Sequence, residues 1–199
     1  MLFPDQLETD RLQLEQLCHA NVDLQEFYRI CSSDDAIEKV TQYMPWDPHE
    51  TTKETKDFID AIETEWEGGE SATYVIRPNA GEADAGEIAG NTGLEIDWKR
   101  RTGTLGIWLR KPFWGRGYSG ERAAALMALA FEHLDLEIVA VTHNCENEQS
   151  QRAIEKYIEA HGGQRDGIIR NGLAYQDGTV VDEVRYTVAK EEYAESTSS

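Results

Sequence analysis

The chain has 199 residues, 40% of them apolar, and carries 19 Lys+Arg against 38 Asp+Glu, a formal net charge of −19. Its length and apolar share predict one folded domain over residues 1–190 rather than a disordered chain. The acidic excess sets aside nucleic acid as a direct partner. No run approaches the ~18 apolar residues of a membrane span, and the opening has no basic, apolar leader, so a cytoplasmic protein without a membrane partner is expected.

Cys18, Cys31 and Cys145 include no C-x-x-C pair, so neither a disulfide framework nor a metal site is expected. The acidic residues are spread along the whole chain. That distribution suits a high-salt cytoplasm, where screening shrinks self-repulsion, and marks a halophilic protein.

In chain order, Leu12 and Leu14 alternate with polar neighbours, which predicts a strand over 11–17, and Asn21 is placed as the cap of a helix running through Arg29. Phe58, Ile59, Ile62 and Trp66 recur at three- and four-residue steps and predict a helix from Thr52 to Trp66, stopped by Gly68-Gly69. Residues 72–76 read as a strand and 78–86 as a hairpin loop. Strands follow over 87–96 and 104–110. A glycine-rich turn, 112–120, leads into a helix with Ala123, Leu126, Met127, Ala130, Phe131 and Leu134 on one face. A short β-branched strand over 138–142, a helix over 149–160 and a strand over 179–189 complete the reading. Residues 191–199 are expected to form a flexible acidic and serine-rich tail, disordered from Glu195. The order is α+β with a single parallel crossover, not a repeating βαβ.

The strand–glycine turn–helix unit is the chemical centre of the sequence. Glycines let a backbone come close to a ligand, and the free N–H groups and dipole of a helix start attract an anion such as phosphate. Arg116, and less directly Arg110, are placed to add charge. The spacing lacks the Lys-Ser/Thr of a P-loop. Gly115-x-Gly117-x-x-Gly120 matches a dinucleotide pattern by letter but sits mid-chain without the βαβ context, which leaves an NAD-type nucleotide binder as an alternative.

Residues 104–121 closely resemble the coenzyme A loop of GNAT acetyltransferases. The family pattern Q/R-x-x-G-x-G/A falls on Trp114, Gly115, Arg116, Gly117, Tyr118 and Ser119, departing at its two ends and keeping the central Gly117. The aromatic-Gly-basic-Gly-Tyr form resembles the RimJ/RimL branch, whose members acetylate protein N-termini. Leu7-Glu8-Thr9-Asp10-Arg11-Leu12, residues 87–94, Asn147-Glu148-Gln149-Ser150, and the segments 165–170 and 182–186 resemble further elements of that branch in the right order. Lys156 through Gly163 is longer than the family's Lys-x-Gly-Phe, so the helix there is expected to extend.

The resemblance implies a GNAT fold: a central mixed, mostly antiparallel twisted sheet flanked by helices. It implies acetyl-CoA as co-substrate and transfer of acetyl to a primary amine, foremost a protein N-terminal α-amine of the ribosomal-protein type. It also implies that Ile107, Trp108 and Leu109 run beside the pantetheine. Trp114, Gly115, Arg116, Gly117, Tyr118, Ser119 and Gly120 would hold the pyrophosphate, Asn147 would contact the cofactor, and Ser150 would place a hydroxyl near the sulfur. A homodimer is in keeping with the family.

An amine must lose a proton before it attacks a thioester. Thr104 stands where many GNAT enzymes carry a carboxylate, so the base is open between Glu87 on the adjacent strand, His143 after the 138–142 strand, and a water relay. Tyr43-Met44-Pro45-Trp46 is expected to line the acceptor side. A small amine, an antibiotic or a polyamine is the alternative acceptor. A GNAT-shaped module that holds coenzyme A without turnover is the alternative class.

Overall fold

The computed structural model describes residues 2–198; Met1 and Ser199, the outer ends of the expected domain and tail, lie outside the described residues. The chain builds an eight-stranded sheet in the order β1-β2-β3-β4-β5-β6-β8-β7, where β1 is Gln6–Glu8, β2 Leu12–Gln16, β3 Ser71–Pro78, β4 Gly90–Asp97, β5 Thr102–Leu109, β6 Ile138–Asn144, β7 Gln164–Ala174 and β8 Val180–Ala189. Among these strands only β5 and β6 pair in parallel. The crossover between them carries α4 (Tyr118–Ala128), which continues as a π-helical turn over Leu129–His133.

Both faces of the sheet are covered, which is why β3 reads as nearly continuous buried sequence. Tyr74 and Ile76 point into one core with Leu12, Leu14, Leu94, Leu105, Leu126, Ile154 and Tyr157, under α4 and α5 (Glu148–Ala160). Val75 points the other way, into a second core with Phe27, Ile30, Val40, Ile59 and Trp108, under α1 (Leu24–Ser33), α2 (Ile37–Thr41) and α3 (Thr52–Gly68).

Several boundaries shift from the sequence reading. Asp23, not Asn21, caps α1 by accepting from the Glu26 amide, while Asn21 donates to the Gln16 carbonyl. α3 runs two residues past Trp66 and closes on Gly69 at φ 72°. β4 begins at Gly90, so Glu87 sits in the loop before it. The expected tail is instead α6 (Lys190–Thr197): Tyr193 is buried, packs its ring 4.9 Å from Phe131 and donates to Glu132. One aromatic anchor is enough to order an otherwise polar segment.

Gly90 has φ 149°, and a Cβ there would stand 2.1 Å from the Trp108 carbonyl oxygen and 2.9 Å from the Leu109 Cα. Both obstacles are backbone of the strand that bounds the cleft. Gly90→Ala is therefore expected to cost about 3 kcal/mol or more, through strain and displacement of β5, read as a fall of roughly 6–12 °C in the thermal melting midpoint.

Candidate active site

The parallel ladder between β5 and β6 runs from Thr102↔Ile138 to Leu105↔Val141 and stops. Beyond it β5 stays paired with β4, and β6 with β8, so the two strands splay apart over Gly106–Leu109 and Thr142–Asn144. The Gly106 carbonyl accepts from Thr92 and the Arg110 amide donates to Ala89, both on the β4 side. By strand alternation, the backbone groups of Ile107 and Leu109 face the opened gap. The gap is a cleft of about 1240 Å³ whose lining includes β5, the glycine turn, β6 and α5.

At one end of the cleft, Gly115 (φ 76°) and Gly117 (φ 83°) turn the chain into α4, which has no side-chain cap. Among the described residues, the amides of Arg116, Gly117, Tyr118 and Ser119 have no acceptor within the chain. A row of free N–H groups at a helix start suits a diphosphate, and a strand edge with open amides suits the amide-bearing pantetheine arm. These residues fit acetyl-CoA, which supplies an activated acetyl thioester when bound.

The turn is held from two sides. Glu121 accepts from the Thr9 hydroxyl (2.6 Å), the Arg11 amide (2.8 Å) and the Arg11 guanidinium (2.8 Å), and Arg11 also donates to the Arg116 carbonyl (2.9 Å). The Thr-x-Arg element of the N-terminus thus braces the glycine turn. On the other side the 79–89 loop contributes Glu82, which accepts from the Tyr118 hydroxyl (2.7 Å), and Asp84, which pairs with Arg116 (2.8 Å).

Those contacts correct the expected roles of the two arginines. Arg116 is bound to Asp84 and to the Ala83 and Pro112 carbonyls, and lies over the Phe113 ring. Arg110 makes a two-pronged pair with Asp34 and also donates to Glu87 and the Ile88 carbonyl. Both are engaged within the protein. Their partners are 32 and 76 residues away, and spacing alone does not reveal them.

Glu87 is exposed, pairs with Arg110 and lies outside the cleft, so it is withdrawn as a base. His143 lines the cleft and is buried, its ring stacked on Tyr186. Its Nδ1 lies 2.8 Å from the Asn144 carbonyl, which can only accept, so Nδ1 carries the proton and Nε2 is the lone-pair nitrogen of the neutral ring. That Nε2 is buried without a partner.

Asn147 caps α5 by accepting from the Ser150 amide (3.0 Å), which fixes Ser150 in the first turn, on the cleft wall. Trp108 sends its side chain into the second core, 5.4 Å from Trp46, and Trp114 donates to the Leu109 carbonyl (2.7 Å). Tyr43, Met44 and Pro45 line the cleft with Trp108 and Trp114, whereas Trp46, expected there too, packs against the second core instead.

Two residues escaped the sequence reading. Asn144 is buried and orders the turn into α5 by accepting from the Glu146 amide and donating to Tyr175. Glu183 on β8 accepts from Thr142 (2.9 Å) and places a half-buried carboxylate in the cleft. Its only signal was its place in the closing-hairpin segment, which carried no role.

A splayed parallel pair leading to a glycine turn and an uncapped helix start suits the binding of a coenzyme A thioester. The chain belongs to the acetyltransferase (GNAT) domain family, whose model matches residues 11–157, and it is an acetyl-CoA-dependent acyltransferase. It is 32% identical over 111 residues to the Bacillus subtilis (strain 168) protein named "Putative ribosomal N-acetyltransferase YdaF", covering 54% of this chain and 57% of that one. It is 26% identical over 188 residues to "Uncharacterized N-acetyltransferase p20" of Bacillus licheniformis, covering 93% and 99%. A crystal structure of a "putative acetyltransferase from T. thermophilus" superposes at a TM-score of 0.76 with 28% identity, covering 98% of this chain and 95% of that one.

Burial opposes ionisation of Glu121, but the bonds from Thr9 and Arg11 outweigh it and hold the carboxyl below its usual range. A carboxyl held low in the fold adds stability above the ordinary value near ~4.3 and loses it as pH falls through the lowered one. Glu121→Gln should therefore lower stability by about 1–3 kcal/mol at pH 7, with the gap to the parent closing in acid, as read from denaturant melts across pH.

Proposed function

We propose that the protein acetylates a primary amine, and that its acceptor is the α-amine of a protein N-terminus of the ribosomal-protein type. The observation that carries this reading is the open cleft. Free loop amides lie at one end, and Tyr43, Trp114 and Glu183 also line the cleft, an aromatic and acidic wall that suits a cationic acceptor. An N-terminal amine is cationic, and its peptide chain needs a groove open to solvent. The printed name of the Bacillus subtilis relative points the same way.

Within that cleft His143 Nε2 accepts a proton from the acceptor ammonium, directly or through a water. The amides of Ile107 and Leu109 stabilise the negative charge that develops on a carbonyl oxygen beside β5. As the C–N bond forms and the C–S bond breaks, Ser150 hydrogen-bonds the departing sulfur and relays to it the second proton that the acylated nitrogen sheds, so free coenzyme A leaves as the thiol. Glu183 contributes negative charge that favours the ammonium in the encounter.

The test is thiol release from acetyl-CoA with N-terminal peptides and, in parallel, a polyamine as acceptor, each in molar KCl and in low salt. Faster release with peptides supports the assignment; a preference for the polyamine moves the acceptor to small amines; binding without release marks a non-catalytic module. Ser150→Ala should lower kcat about 100-fold with KM for acetyl-CoA nearly unchanged. His143→Gln should lower kcat about 100-fold with KM for acetyl-CoA nearly unchanged.

A further inference from the structure

Arg122 is 1% exposed, the largest side chain so deeply buried among the described residues. Its Nε and Nη1 atoms have no hydrogen-bond partner, and among the described residues it belongs to no ion pair. It faces the neutral phenol Tyr157, whose ring centroid lies 5.7 Å from the guanidinium carbon and whose buried hydroxyl interacts with the guanidinium without closing a hydrogen bond of ordinary geometry. Burial pushes the guanidinium's pKa down, and the Tyr157 phenol offsets that only in part. The neighbouring carboxylate, Glu121, points about 100° away round the helix and is spent on Thr9 and Arg11.

A buried cation without an anion is costly. In a chain with 38 acidic residues against 19 basic ones, the missing counterion is not explained by a shortage of carboxylates. Arg122 and Tyr157 line the same cleft as the glycine turn. Side chains on a helix lean toward its N-terminus, so Arg122 leans back toward the first turn of α4, where the Tyr118 and Ser119 amides have no acceptor within the chain. Gly120 sits against Tyr157, 3.8 Å from a notional Cβ to the Tyr157 Cβ, which brings α5 close to that turn. Arg11, Arg110 and Arg116, the other arginines at the turn, are paired with Glu121, Asp34 and Asp84.

We propose that Arg122, steadied by Tyr157, is the cation of the diphosphate subsite: the ligand's pyrophosphate is its missing counterion, and the unliganded protein holds an unpaired buried charge in readiness for it. This rests on the coenzyme A reading of the cleft. Occupancy and stability are then coupled, because binding both fills the cleft and neutralises the charge.

The experiment compares the parent protein, Arg122→Met and Arg122→Lys, all checked for folding by circular dichroism. Titration calorimetry uses coenzyme A, dephospho-coenzyme A and pantetheine, which has no phosphate. Inorganic pyrophosphate is used in thermal melts. R122M is expected to bind coenzyme A and dephospho-coenzyme A about 10- to 100-fold more weakly, with pantetheine unchanged. Without ligand it should melt no lower than the parent, and it should lose the rise in midpoint that pyrophosphate gives the parent. R122K should show the same selectivity with a smaller loss, and decides the matter if R122M does not fold. Coenzyme A affinity within threefold of the parent overturns the proposal, as does an equal loss for pantetheine, which marks plain damage to the cleft. A loss confined to coenzyme A moves the contact to the 3′-phosphate and overturns the pyrophosphate assignment. A parent protein that binds pyrophosphate but not coenzyme A overturns the cofactor reading instead.

Discussion

The structure turns on one break in hydrogen bonding: the β5–β6 ladder ends at Leu105↔Val141. Buried strand edges are normally paired, because unsatisfied backbone groups cost free energy. Here each strand keeps its outer neighbour, so the sheet does not fall apart, while the inner edges open toward the cleft. The opened edge offers the amides of Ile107 and Leu109, and the diverging strands leave room between β5 and the start of α5. The chemistry of the site follows from that geometry. A chain lined up along β5 meets a backbone that can pair with it, then reaches the uncapped start of α4.

The glycine turn needs more than glycine. Positive φ at Gly115 and Gly117 lets the chain turn, but it also frees the turn to move. Three acceptor contacts at Glu121 tie α4 to the Thr9–Arg11 corner, and Glu82 and Asp84 hold the opposite flank through Tyr118 and Arg116. The acids and arginines around the loop form a frame. The free backbone amides of the turn are fixed in position by this frame of side chains.

This explains what was legible in the sequence. Periodicity showed α3, α4 and α5 because each buries one face, and Gly117 and Ser119 showed the turn because a close backbone approach excludes larger residues. Asn147 and Ser150 were visible only through their resemblance to a family element, and the structure shows that the spacing of three is that of a cap and a first-turn residue. Partners distant in sequence were not visible: Arg110 with Asp34, Arg116 with Asp84, and Glu183 with Thr142 are brought together only by the sheet. Glu87 was misjudged because a strand start three residues off moves a side chain out of the ladder. α6 looked disordered because its order depends on a single buried Tyr193 packed on Phe131.

The charge balance sharpens the role of local contacts. A net charge of −19 repels a polyanionic ligand at long range, and that field is felt over about 10 Å in 0.1 M salt but about 3 Å in 1 M salt. Hydrogen bonds from loop amides act at contact distance and within the cleft, so salt weakens the repulsion more than it weakens them. An acidic protein can therefore hold a polyphosphate ligand if its attractive groups are few, close and shielded from water. Free amides at the start of α4 meet that condition, and a buried guanidinium lining the same cleft meets it more strongly than one on the rim. A surface arginine would be screened together with the acids around it, whereas Arg122, at 1% exposure, is out of reach of most of that screening.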